Sequence, residues 1–131
     1  MAILGSVACA DPELIASSDT DIREELVDPS FEEHIEPMFK SCLACHQGEA
    51  PDGGFDLTGD MYARLVEQRS IQAESLNLVE PGDSAYSYLW HKLNGSQSLA
   101  GGAGTRMPMG ERWPQEDLDM VATWIDLGAE P

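Results

Sequence analysis

Apolar residues recur at helical spacing along four stretches of this chain, and no stretch carries the strict alternation of a half-buried strand. The first stretch opens with Ser30 and Glu33 in an S-x-x-E capping box, and Phe31, Ile35, Met38 and Phe39 follow on one side. Pro37 falls inside that pattern and predicts a kink or a restart, because proline has no N–H to donate to the preceding turn. This first helix runs directly into Cys42. The second stretch, Met61, Leu65 and Val66, predicts a helix over about 60–68. In the third, Pro81-Gly82 makes a turn and Asp83 or Ser84 caps a helix. Tyr86, Leu89, Trp90 and Leu93 form its apolar face and Gly95 stops it. The fourth predicts a helix over about 115–127, with Pro114 at the start and Gly128 at the end. Its buried stripe is Leu118, Val121, Ala122 and Ile125.

The connections are rich in turn residues. "QGEAPDGGFDLTGD" follows the first helix, and "SQSLAGGAGT" reads as a flexible loop with little to pack. The expected fold class is therefore all-α, about four helices and long loops. Helices of roughly 8 to 14 residues joined by glycine-rich loops bury too little to stabilise themselves well. A bulky apolar group at the centre would make up the shortage.

The 131 residues suit one domain. Order is expected to begin near Ser30, which divides the chain into a leader over 1–29 and a folded domain over 30–131. Ala2 to Ala10 are small and apolar, but the run is too short to cross a membrane and has no basic leader. "LGSVAC" places small residues before Cys9, as a bacterial lipoprotein processing site does, although Ser6 stands where a leucine-like residue is usual. Cys9 is accordingly either a lipid attachment point or a spare thiol. Residues 10–29 are acidic and serine-rich, as in a flexible tether.

Seven Lys+Arg against 24 Asp+Glu give a formal charge of −17. Such a surface repels phosphates and argues against nucleic acid as a partner. It fits either a basic partner protein or a role in solubility alone.

The chemistry is concentrated in "SCLACHQG", which holds two of the three cysteines and one of the three histidines. In Cys42-Leu43-Ala44-Cys45-His46 the thiols lie three residues apart, on one side of a helical turn, where both reach the vinyl groups along one porphyrin edge. The adjacent His46 then supplies an imidazole to the iron. A thioredoxin-like pair needs a strand before it and a βαβ setting, neither of which is visible. Structural zinc needs a fourth ligand, for which His91 and Cys9 are the candidates, yet no second C-x-x-C or H-x-x-x-H pair exists. A Cys42–Cys45 disulfide leaves His46 without a role. Covalent attachment of one haem c is the reading that uses all three residues.

A sixth ligand must then come from elsewhere, among Met38, Met61, Met107, Met109, Met120, His34 and His91. Met61 and Met120 read as packing, and Met38 is too near the attachment turn to cross the porphyrin. His91 and His34 fall off the apolar stripes of their helices and read as surface. Met107 and Met109 sit in "RMPMG", a loop without helical periodicity, where a thioether can close over an open face. Pro108 restricts the backbone of Met107, while Met109 precedes the freer Gly110. Both methionines stay open on these grounds, the alternative being that they fill gaps.

"FEEHIEPMFKSCLACH", "PGDSAYSYLWHKL", "RMPMG" and "DLDMVATWIDLGA" together resemble small class I cytochromes c, and more narrowly the planctomycete-type cytochrome c domain. The similarity covers about 31–129 in block order and spacing. It implies a small cytochrome c-like domain wrapped around one covalently bound haem. It also implies Cys42, Cys45 and His46 as the attachment and proximal residues, with Met107 as the distal ligand. The implied function is an extracytoplasmic carrier of single electrons, periplasmic or at the cell surface, rather than an enzyme. Arg106, beside Met107, is a candidate partner for a haem propionate. Trp113 and Trp124 are candidates for packing against the haem. The alternatives are a haem enzyme or gas-sensing module with a labile sixth ligand, and the haem subunit of a larger dehydrogenase complex.

Overall fold

In the computed structural model, residues 28–48 and 51–131 are described. Cys9 and the acidic leader lie outside them. The described residues form four α-helices joined by short π and 3-10 turns and by irregular segments, a small all-α fold. The helices are α1 Glu36–Phe39, α2 Met61–Leu65, α3 Tyr88–Asn94 and α4 Gln115–Asp126. Pairing between extended segments is limited, among these residues, to isolated bridges. No described helix is long and apolar enough to cross a membrane.

The N-terminal helical segment changes pitch twice. Ser30 Oγ accepts from the Glu33 amide at 3.3 Å, as the capping box predicts. The reciprocal bond, however, runs from the Ser30 amide to His34 Nδ1 at 3.1 Å, so a histidine one residue further on takes the expected place of Glu33. Phe31–Ile35 is a π turn, closed by the Glu36 amide on the Phe31 carbonyl, and Pro37 restarts the chain as α1. Lys40–Ala44 then tightens into a 3-10 turn that carries Cys42.

The middle helices are shorter than the pattern predicts. Asp60 caps α2 by accepting from the Ala63 amide, but Val66 leaves the helix in an extended conformation and bridges to Val79. The predicted third helix is broken at Ser87. Its hydroxyl donates to the Asp83 carbonyl at 2.8 Å and accepts from the Glu80 amide at 2.8 Å. These bonds hold Ser87 extended, a local alternative to helical pairing that serine commonly offers. The break exchanges the tyrosine of the buried face, while Leu89 and Leu93 stay buried as expected. Tyr86 is 63% exposed while Tyr88 is buried at 3%.

The last helix keeps its predicted position. Leu118, Val121 and Ile125 are buried on it, Ala122 is half-buried, and Trp124 is fully buried. The Trp124 ring packs 5.4 Å from Phe31 and 6.4 Å from Tyr62, and its indole N–H donates to the Glu130 carbonyl at 2.7 Å. The two ends of the domain are tied there, since the Phe31 amide also donates to Glu130 and the Tyr62 hydroxyl donates to Ala129. The same core continues through Phe39, Leu57, Leu89 and Leu93 to one wall of a cleft.

Candidate functional site

The C-x-x-C-H segment is one tight turn. The amides of Cys45 and His46 both donate to the Cys42 carbonyl, at 3.2 and 3.0 Å, which brings the three side-chain-bearing positions together. Two further bonds clamp the turn: the Asp52 amide donates to the Cys45 carbonyl at 2.9 Å, and Leu57 donates to His46 at 2.8 Å. Both thiols are free, Cys42 half-buried and Cys45 exposed. Burial pushes the Cys42 thiol up, with the Ser41 side chain acting against it and Cys45 adding slightly.

His46 is oriented by its own loop. Its Nδ1 lies 3.1 Å from the Phe55 carbonyl oxygen, and the rings of the two residues are 5.1 Å apart. A carbonyl only accepts, so Nδ1 carries a proton and donates it, and Nε2 is the ring nitrogen left for another partner. Among the described residues Nε2 has no hydrogen-bond partner.

Cys42 and His46 open onto an apolar cleft with about 890 Å³ of empty space, part of it continuous with solvent. Its walls come from several segments of the chain: Phe39 from α1, Phe55 and Leu57 from the following loop, Leu78, Leu89 and Leu93 around α3, and Met107 from the loop before α4. A free imidazole nitrogen, a half-buried thiol and a thioether therefore face one apolar space. Cys45 is exposed and does not line the cleft, so the residues there that fit a haem are Cys42, His46 and Met107 with the apolar lining.

No family model, curated protein or solved structure matches this chain. The reading of the site rests on its own residues.

The rival ligands are placed elsewhere. Met109 is 68% exposed and does not line the cleft. Met61 is buried in the core, and Met38 and Met120 pack against it. His91 has both ring nitrogens engaged: Nε2 donates to the Ala85 carbonyl at 2.7 Å and Nδ1 accepts from the Ser96 hydroxyl at 2.7 Å. It is thus spent as a ligand for either iron or zinc. His34 is likewise engaged through Nδ1 with the Ser30 amide. Among the described residues no group of three or more His, Cys, Asp and Glu is placed to hold a metal ion.

Arg106 and the two tryptophans also lie off the cleft. Arg106 donates from Nη2 to the Gly110 carbonyl at 2.6 Å, and its stem lies along Gly95. Trp124 is in the core, and Trp113 packs edge-on against Phe39 at 5.2 Å. The cations that do line the cleft are Arg69 and Lys92. Lys92 donates to Gln72 Oε1 at 2.8 Å and to the Ala103 carbonyl at 2.7 Å, and Arg69 donates to the Glu74 carbonyl at 2.6 Å. Neither forms an ion pair among the described residues, where the one such pair joins Arg64 to Asp56. Sequence reasoning passed over both. Arg69 lies in the irregular 66–80 excursion, which carries no periodicity, and Lys92 sits beside apolar positions of α3 as any solvated lysine would. A weak signal was present, since positive residues are scarce in so acidic a chain.

Proposed function

We propose that this protein is a monohaem c-type cytochrome that carries single electrons on the extracytoplasmic side of a membrane. The observation that carries the reading is the convergence of Cys42, His46 and Met107 on one apolar cleft, in a chain with the C-x-x-C-H spacing. A haem iron bound there would exchange one electron between its ferric and ferrous states. Cys42 and Cys45 would hold the group through thioethers, and His46 and Met107 would bind its iron. With Met107 bound, no open position would remain for substrate chemistry, which favours a carrier over an enzyme or gas sensor. Phe39, Leu57, Leu78, Leu89 and Leu93 would exclude water from the group, and Arg69 and Lys92 would offer positive charge to its carboxylates.

The test is expression with haem-maturation machinery, followed by denaturation and acid extraction. Adding each thiol across a vinyl group loses no atoms. The polypeptide should therefore keep its colour and gain the mass of one haem. Free extraction of the pigment, or a mass equal to the bare chain, would refute the reading.

A further inference from the structure

The loop expected to be flexible, 96–105, is fastened along its length. Gln97 is buried, its side-chain amide donates to the Gly104 carbonyl at 3.1 Å, and its carbonyl accepts from the Gly102 amide at 2.8 Å. Two side chains of α3 reach out to the same strand of loop. Tyr88 Oη accepts from the Ala103 amide at 3.3 Å, and Lys92 Nζ donates to the Ala103 carbonyl at 2.7 Å. Both also meet Gln72 Oε1 at 2.8 Å, so one amide oxygen from the 66–80 excursion joins the two anchors. Four residues after Ala103 the loop returns to α3, where the Met107 amide donates to the Lys92 carbonyl at 2.9 Å.

Gly102 makes this arrangement possible. A Cβ there would lie 2.1 Å from Tyr88 Oη and 2.3 Å from a ring carbon, well inside contact distance. The requirement is for space, since the loop backbone lies directly against the tyrosine ring. Tyr88 is itself buried at 3% and its hydroxyl is held by Gln72 Oε1, so moving the ring aside breaks that bond.

We propose that Tyr88 and Gly102 are positioning residues for Met107: their close contact fastens the 96–105 loop to α3 and thereby holds the Met107 thioether at the cleft. The inference rests on the haem reading above for its consequence at the iron, but the fastening itself belongs to the polypeptide. An unfastened loop would have to be ordered each time the thioether is bound, and that entropy cost weakens the ligand.

The experiment uses the holoprotein with Tyr88→Phe, Gly102→Ala and the control Gly110→Ala, whose Cβ would meet nothing within 4 Å. Two quantities are read: hydrogen exchange at the Ala103 and Met107 amides, and carbon monoxide binding to the ferrous protein. Tyr88→Phe removes the hydroxyl's bonds to Ala103 and Gln72 and should speed exchange by at least about fivefold, the loss expected for one typical bond, with a similar gain in carbon monoxide affinity. Gly102→Ala should exceed it in both, and Gly110→Ala should match the wild type. All four proteins should keep covalent haem. Unchanged exchange and unchanged carbon monoxide binding in Tyr88→Phe would overturn the proposal, even if Gly102→Ala failed to fold. Failure of the wild type to acquire haem would instead refute the functional reading, while the exchange rates would still decide the fastening.

Discussion

The imidazole of His46 lies 3.1 Å through Nδ1 from the carbonyl oxygen of Phe55, nine residues along the chain. This bond sets the ring's orientation from local backbone, so a proximal ligand at His46, as proposed, would be fixed within its own loop. Met107 has the opposite origin, because it is brought to the same cleft by the return of a remote loop to α3.

Met107→Ala is accordingly expected to open the sixth position. The holoprotein should lose its thioether–ferric absorption, fall in midpoint potential and bind carbon monoxide in the ferrous state. Met109→Ala, at a site 68% exposed, should leave the spectrum and potential as they are. A normal spectrum for Met107→Ala would remove it as ligand, and His91 could replace it only by giving up its bonds to Ala85 and Ser96.

Arg69 should raise the potential of the bound haem, because a nearby positive charge favours the more electron-rich ferrous form. Arg69→Gln is predicted to lower the midpoint potential measured by redox titration. Arg112→Gln changes the net charge equally but lies off the cleft, where its side chain bonds Asn94 and Gln115, so its potential should stay at the wild-type value. Equal shifts in both variants would mean that overall charge, rather than the cleft cation, sets the effect.

Alkaline pH should destabilise the fold through two tyrosines. Burial raises both Tyr62 and Tyr88 above the ordinary value of 10.0; the Glu130 and Glu67 charges add to the rise at Tyr62, and the Ala103 bond opposes it at Tyr88. A raised pKa means that the unfolded chain releases these protons first. The contribution is thus complete below about pH 10 and is lost as pH rises through the folded values. Denaturant midpoints should fall across that interval, and less steeply in Tyr62→Phe, which cannot ionise. An identical pH slope in Tyr62→Phe and wild type would exclude Tyr62 from the effect.

The sequence by itself determined the features that act within a few residues. The Ser30 cap, the restart at Pro37, the position of α4 between Pro114 and Gly128, and the Cys42–His46 turn all follow from local hydrogen bonding and steric preference. The all-α class followed too, since helical periodicity is a property of single segments. Beyond that range the pattern ran out. Ser87 could have continued a helix, and its hydroxyl stops it only because Glu80 and Asp83 are folded against it. The glycine-rich loop looked free because nothing in its own residues packs, whereas its anchors are Tyr88, Lys92 and Gln72 from other segments. Only the tertiary structure placed Met107 and not Met109 on the cleft, and lined that cleft with Arg69 and Lys92 rather than Arg106. Each of these depends on which backbones approach one another, and no single segment carries that information.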